Sequence, residues 1–195
     1  MTLAIIDLET TSLSYRCGLV ELGCVLVDDQ HHALPVIAEW QACCHPRAGA
    51  DICEQALAIN GYDPSVWEQR DAYPSEAPML IDFATWLNGH TIASYATPLA
   101  HNASFDRPRL ELACEAASVR LRLGYQWEDT LPLARTWRRL AQRPGKCGLA
   151  DLAWLAGHWT EQEEALRHHH ALEDCRATLA VLRWLQEQLA LCAAA

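Results

Sequence analysis

The sequence predicts a domain of the α/β or α+β class, with a mixed β-sheet flanked by helices. Three apolar runs rich in Val, Ile and Leu occur before residue 45, and helical patterns prevail after it. Because these runs follow one another through short links, we expect an antiparallel meander. Strands first, followed by a mixture of strands and helices, is an order typical of this class.

Each expected element has its own signal. The strands are expected at residues 3–7, 20–28, 34–44 and 91–95. Helices are expected at 52–60, 75–88, 105–117, 131–141 and 148–156, with Pro74 and Pro78 around the start of the second. The last helix begins near residue 170, where an amphipathic stripe has apolar residues three and four apart: Leu172, Cys175, Leu179, Leu182, Leu185 and Leu189.

Length and composition predict one globular domain over residues 1–195. Half of the residues are apolar (51%) and about a fifth are charged (21%), which is ordinary for a globular protein. The chain contains no apolar run of about 18 residues, and its first residues lack the pattern of a secretory leader. We therefore expect a cytoplasmic protein without membrane contact.

The charge is unevenly distributed. A net charge of −10 argues against a protein that coats nucleic acid by bulk electrostatic attraction. Residues 107–146, however, contain nine of the 15 basic residues and only four acidic ones. This basic window would suit a local contact with a polyanion. Solvated helix faces are the alternative explanation.

The chain contains nine cysteines, an odd number, and no Cys-x-x-Cys pair. A disulfide framework or a zinc site is therefore not expected. Most of the cysteines should be small buried hydrophobic residues in a reducing compartment.

Two carboxylates stand at the end of the first expected strand. Asp7 and Glu9 are two residues apart, so their side chains point to the same face. Like charges repel each other, and desolvation increases the cost. A hard divalent cation such as Mg²⁺ or Mn²⁺ would remove that cost, because such ions bind carboxylate oxygens. A frayed strand end with both acids in water is the alternative.

Two later segments add further acids and a histidine cluster. Asp106 follows Phe105 in AHNASFD, where a helix begins, and Asn102 suits the turn before it. In RHHHALEDCRAT, three histidines at 168–170 precede the last helix, and Asp174 lies beside its apolar stripe. A histidine near an acidic metal centre is well suited to accept a proton at neutral pH. Taken singly, these residues are also explained as a helix-start acid, a turn residue and an exposed loop.

Together the three segments resemble the DEDDh branch of the DnaQ-like 3′–5′ exonucleases, and within it the bacterial exodeoxyribonuclease X group. The family motifs Asp-x-Glu-Thr, Asn-x-x-Phe-Asp and His-x-Ala-x-x-Asp with a later Thr all occur here in order. The matching residues are Asp7, Glu9 and Thr10; Asn102, Phe105 and Asp106; and His169, Ala171, Asp174 and Thr178. Motif spacing selects His169 among the three histidines. Weaker matches at VELGCV, ALAING and EDTLPLAR extend the resemblance over about residues 3–185.

The resemblance implies a ribonuclease H-like fold with a mixed five-stranded sheet, in which three antiparallel strands are followed by parallel ones. It implies hydrolysis of the terminal phosphodiester at a 3′ end, with release of nucleoside 5′-monophosphates. Two divalent ions, Mg²⁺ or Mn²⁺, about 4 Å apart would act on the attacking and leaving oxygens. The implied metal ligands are Asp7, Glu9, Asp106 and Asp174. His169 would be the general base on the attacking water.

The resemblance also implies substrate contacts. The stretch from Thr10 to Leu13 would face the 3′-terminal nucleotide, with Leu13 as an apolar wedge against the terminal bases. Asn102 would hold the turn of the second motif, and Phe105 would lie beside the substrate. The family usually has Gly where this chain has Ser12, so Ser12 is expected to be mildly strained if that position needs a positive φ.

The implied substrate is DNA with a free 3′ end, preferably single-stranded. The implied role of the protein is in DNA repair. RNA ends or short oligoribonucleotides are the alternative, because the sequence contains no evident selector for a 2′-hydroxyl. A non-catalytic nucleic-acid-binding module of the same fold is a second alternative. Residues 135–146 are a candidate track for the phosphate backbone. Trp137 among them could stack on a base, although core packing is favoured, and Trp154 and Trp184 are expected in the core.

Overall fold

The structure, a computed structural model, describes residues 2–67, 73–91, 95–160 and 169–194. Its strands are β1 (Thr2–Thr10), β2 (Leu19–Asp28), β3 (Val36–Cys43), β4 (Thr97–Ala100) and β5 (Glu128–Asp129). Its helices are α1 (Glu54–Asn60), α2 (Pro64–Trp67), α3 (Glu76–His90), α4 (Ala103–Ala117), α5 (Thr130–Leu140), α6 (Leu149–Leu155) and α7 (Ala171–Ala194). The three long N-terminal strands and the six expected helices are all present.

The five strands form one mixed sheet in the order β3-β2-β1-β4-β5. The pairs β1–β2 and β2–β3 are antiparallel, whereas β1–β4 and β4–β5 are parallel. The expected meander with parallel additions is therefore confirmed. Because β1 and β4 are parallel neighbours, the segments that follow both strands leave the sheet at the same edge.

Helices cover both faces of this sheet, and β1 is buried between them. The even-numbered residues of β1 within 4–8 pack in a core with α3 and α4, whereas Leu3 and Ile5 pack with α7. Side chains alternate along a strand, so Asp7 and Glu9 continue the side of Leu3 and Ile5. The end of β1 therefore directs both carboxylates toward α7.

The fourth strand is displaced from its expected position. Thr91 ends α3 as its C-cap, and the strand is Thr97–Ala100 rather than 91–95, of which residues 92–94 lie outside the described part of the chain. Pro98 pairs with Ala4 of β1 in the parallel register. Proline lacks the N–H that a strand ladder needs and is rare in central strands, so Pro98 argued against a strand in this segment. β5 has two residues, too few for any periodicity.

A third core joins α7 to α5 and α6. Trp137 is 1% exposed, and its ring centroid lies 4.6 Å from that of Trp184. Core packing of Trp137 is therefore confirmed, and this residue does not offer a face to a base. Trp184 is partly buried and packs against this core. The core assignment of Trp154 is wrong, because its side chain is 54% exposed. The short helix α6 buries Leu152 and Ala153 instead, which turns the next residue outward.

All nine cysteines are free thiols. Within the described ranges, no helix combines the length and apolar character that a bilayer-crossing segment requires.

Candidate active site

The acidic residues of the three motifs meet in one cavity of about 260 Å³ at the carboxyl end of β1. β1 supplies Asp7 and Glu9, the first turn of α4 supplies Asp106, and the first turn of α7 supplies Asp174. The chain enters α4 directly after β4, so the parallel pairing of β1 and β4 brings the second motif to the first. All nine residues predicted for the site line this cavity.

Two of the carboxylates, Asp7 and Asp106, are held in an environment that opposes their ionisation. Glu9, Asp106 and Asp174 are 8%, 2% and 4% exposed. Burial raises the pKa of Asp7 well above its ordinary value, and repulsion by the neighbouring carboxylates raises it further. Burial also raises the pKa of Asp106 to about 8. A cation at this site would offset both effects.

The donor set fits a hard divalent cation. One ligand atom each of Glu9, His169 and Asp174 lies within 4.8 Å of the others. Asp7 and Asp106 line the same cavity. Carboxylate oxygens are the donors that Mg²⁺ and Mn²⁺ prefer, so the residues present are of the right chemical type. Which of them coordinate a metal stays a prediction.

His169 lies two residues before the start of α7, in the lining of the cavity. Its Nδ1 lies 3.2 Å from Oδ2 of Asp174, and its side chain is 54% exposed whereas that of Asp174 is 5% exposed. His168 lies outside the described residues. The Nδ1 atom of His170 lies 3.5 Å from Oε2 of Glu21, away from the cavity lining. The histidine that motif spacing selected is thus the one beside the carboxylates, and its role as a base stays a prediction.

Thr10 is the last residue of β1, and Leu13 lies in the loop that connects β1 to β2. The Thr10 hydroxyl is buried and donates to the carbonyl of Ser12 at 2.9 Å, whereas Leu13 is 80% exposed. Ser12 is not among the described residues with positive φ, so the condition for backbone strain at this position is not met. The loop is held instead by the Thr11 hydroxyl, which donates to the carbonyl of Asp51 at 2.6 Å and accepts the N–H of Gly18 at 2.8 Å.

Asn102 adopts a left-handed conformation, with φ 70° and ψ 55°, and immediately precedes α4. Its backbone N–H donates to Oδ1 of Asp129 at 2.9 Å, and that of Ala103 donates to Oδ2 at 3.0 Å. Asp129 also accepts the N–H of Leu131 at 2.9 Å and so caps α5. Asp129 therefore fixes the turn of the second motif. Sequence reasoning missed this role, for which the helix-cap position of Asp129 was the available signal.

Glu21 is another residue that sequence reasoning missed. It lies opposite Glu9 in β2 and is 4% exposed. Its Oε1 accepts the N–H of Ala171 at 3.2 Å and the side-chain amide of Gln41. It thereby satisfies a free donor at the start of α7, the helix that carries Asp174. Its signal in the sequence was a single carboxylate within the apolar run VELGCVLV.

Two basic residues within 135–146, Arg135 and Arg138, lie in different surroundings. Arg135 and His101 line a second cavity of about 490 Å³ beside the first. The Arg138 guanidinium lies 5.4 Å from the ring centre of Trp137 and donates to the carbonyl of Pro144 at 2.7 Å, so it holds the loop after α5. Arg135 therefore lies beside the site, and residues 135–146 stay a candidate track for the phosphate backbone.

Residues 4–182 match the family model RNase_T, described as Exonuclease. The DNA polymerase III PolC-type protein of Thermotoga petrophila is 26% identical over an alignment 196 residues long, which covers 95% of this chain but 12% of that protein. The solved structure of Exonuclease X in complex with 5′ overhanging duplex DNA has a TM-score of 0.62 and 26% identity, covering 95% of this chain and 91% of that one. The nuclease domain of 3′hExo, a DEDDh family member, bound to rAMP, has a TM-score of 0.69 at 14% identity, covering 95% and 92%.

Proposed function

The chain belongs to the exonuclease family, as an enzyme of the 3′–5′ DEDDh type, and we propose that it degrades DNA from a free 3′ end. The observation that carries this proposal is the meeting of four carboxylates and His169 in one cavity. The solved structure of Exonuclease X contains duplex DNA and matches nearly the full length of both chains. This match supports DNA rather than RNA as the proposed substrate. The proposal includes a single catalytic domain over residues 1–195 and nucleoside 5′-monophosphates as products.

The family generally uses divalent metal ions, and Asp7, Glu9, Asp106 and Asp174 would hold two of them, Mg²⁺ or Mn²⁺. When bound, such ions supply Lewis-acid chemistry for phosphodiester hydrolysis. The protein would contribute a rigid arrangement of donors, since three of these carboxylates are buried and stand on three different elements.

His169 would accept the proton of the attacking water. Donation of Nδ1–H to the Asp174 carboxylate, which lies 3.2 Å away, leaves Nε2 as the basic nitrogen. The new P–O bond forms as the bond to the 3′ oxygen of the preceding nucleotide breaks, and the terminal nucleotide leaves with a 5′-phosphate. The exposure of the His169 side chain allows exchange of that proton with solvent.

The outer part of the cavity would receive the terminal nucleoside. Its apolar lining comes from Leu13 in the first loop, Ala56 and Ile59 of α1, and Phe105 of α4. Leu13 and Ile59 are 80% and 56% exposed, so their apolar surfaces are open to contact with a nucleoside. A base between these side chains would place its own phosphate toward the carboxylates.

The test is a gel assay on a 5′-labelled oligonucleotide with Mg²⁺, Mn²⁺ or EDTA. Single-stranded DNA, the same strand in a duplex with a 5′ overhang, and matched RNA are compared. We expect a DNA ladder that shortens from the 3′ end and disappears in EDTA and in Asp174→Ala. Glu173→Ala, an exposed acid one residue earlier on α7, is the matched control and should retain activity.

Faster digestion of RNA would move the proposal to an exoribonuclease. Binding of DNA without cleavage by the wild type, unchanged in Asp174→Ala, would favour a non-catalytic module.

A further inference from the structure

Arg109 is a buried cation that belongs to none of the three motifs. It lies on α4, one turn after Phe105, and is 6% exposed. Among the described residues, no carboxylate lies within ion-pair distance of its guanidinium, and its Nε has no hydrogen-bond partner. The charge of Arg109 acts on the nearby Asp106 carboxyl, whose pKa it lowers against the effect of burial, and the Cys17 side chain also interacts with the guanidinium. Burial of a cation without a direct ion pair is still costly. The contacts of Arg109 therefore call for an explanation beyond packing.

Those contacts join two walls of the active-site cavity. The Arg109 guanidinium carbon lies 3.7 Å from the ring centre of Phe105, and Nη1 donates to the Phe105 carbonyl at 2.7 Å. Nη2 donates to the carbonyl of Leu13, which is 96 residues away in the chain. The ring of Tyr15, two residues further along the same loop, lies 5.2 Å from the guanidinium carbon. Arg109 thus holds the exposed tip of the first loop against the first turn of α4.

The chemistry of arginine suits this position. The planar guanidinium can stack on an aromatic ring while its two terminal nitrogens donate in different directions. Lysine has a compact ammonium and cannot do both. The base of the loop is fixed separately by Thr11 and Gly18, whose backbone groups pair at 3.0 Å. Arg109 therefore acts on the tip of the loop, where Leu13 stands.

We propose that Arg109 is a positioning residue that fixes the distance between Leu13 and Phe105 and so determines how tightly the 3′-terminal base is held. This inference rests on the proposed exonuclease function. Arg109 does not touch the reacting atoms. The space between Leu13 and Phe105 is the apolar slot, and Arg109 sets its width without lining it. Arg109 holds Leu13 through the backbone carbonyl and Phe105 through the aromatic ring.

The test compares wild type, Arg109→Met and Arg109→Lys on two DNA substrates. One ends in an ordinary 3′ nucleotide and the other in an abasic 3′ nucleotide, which has nothing to place in the slot. Arg107→Met is the matched control, because Arg107 is an exposed arginine of the same helix that pairs with Glu111 at 2.9 Å. It removes the same charge without touching the slot.

For the ordinary substrate we expect KM to rise roughly tenfold in Arg109→Met, as stacking on the terminal base weakens, with kcat changed less than about threefold. Arg109→Lys should fail to restore the lower KM. For the abasic substrate, Arg109→Met should match wild type within about twofold. A rise of equal size on both substrates would show a general structural defect and would overturn the inference, as would no rise on either.

A binding measurement separates this inference from the proposed function. An oligonucleotide with 2-aminopurine at its 3′ end is mixed with the protein in Ca²⁺, and fluorescence quenching reports stacking of the terminal base. Quenching by wild type that is lost in Arg109→Met, without cleavage in Mg²⁺ or Mn²⁺, would support the slot and refute the exonuclease. Absence of quenching by wild type would overturn the role of Arg109 whatever the activity.

Discussion

Gly23 of β2 allows the start of α7 to pack closely on the sheet, although it does not line the candidate active site. It pairs with Asp7 across the β1–β2 ladder and lies directly under the first residues of α7. A Cβ at this position would lie 2.4 Å from the carbonyl carbon of Ala171 and 2.5 Å from the nitrogen of Leu172. Both are backbone atoms, so no side-chain rotation can make room. Gly23→Ala must therefore push α7 away from the sheet.

The size of the effect follows from these distances. Ordinary contacts of a Cβ begin at 3.4 Å, so the start of α7 would move by about 1 Å, and Asp174 would move with it. A misplacement of about 1 Å can lower a rate about 10²-fold, and overpacking costs about 1–3 kcal/mol of unfolding free energy. We expect Gly23→Ala to fold, with a lower Tm and a kcat/KM reduced about 100-fold.

The assay is kcat/KM on labelled DNA together with Tm by scanning calorimetry. Gly89→Ala is the matched control, because a Cβ on this exposed residue of α3 would meet nothing within 4 Å. It should retain activity and gain up to about 1 kcal/mol of stability, since alanine is the better helix former. Full activity and an unchanged Tm in Gly23→Ala would refute the close packing of β2 against α7 and the reasoning built on it.

Three further predictions concern the site itself. His169→Ala should lower kcat about 10²- to 10⁴-fold with substrate binding nearly intact, and a loss below tenfold in single-turnover assays would remove His169 as the base. Glu21→Ala should lower both Tm and kcat because it frees the N–H of Ala171 at the start of α7, whereas Glu21→Gln keeps an acceptor and should restore most of both; equal loss in the two variants would contradict the hydrogen-bond role. The folded-state pKa of Asp106 is about 8, above its ordinary value of 3.8, so the folded protein holds a proton that the unfolded chain releases. Asp106 should therefore lower the stability of the metal-free protein by up to about 4 kcal/mol as the pH rises from 5 to 8, and Asp7, whose pKa burial also raises, should add a fall of the same sign. Asp106→Asn should make this dependence less steep in calorimetry with EDTA, and an equally steep curve in that variant would assign the effect to other groups.

Local pattern predicted much of this fold. The apolar runs of β1, β2 and β3 and the stripe of α7 lie where periodicity indicated, because each element buries one regular set of positions. Local pattern failed at Thr97–Ala100, where a proline interrupts a central strand, and at Trp154, where a helix of seven residues is too short to define its buried face.

The sequence by itself predicted which residues meet in the cavity, because motif order and spacing, matched to the family motifs, single out Asp7, Asp106, His169 and Asp174 among many acids and histidines. It could not determine the supports around them. The contacts from Glu21 to Ala171 and from Arg109 to Leu13 join residues 150 and 96 positions apart. No local period links such residues, and only the pairing of β1 with β2 and β4 and the packing of α7 on the sheet bring them together. The residue types of the site can therefore be predicted from short motifs, whereas their relative positions depend on long-range packing.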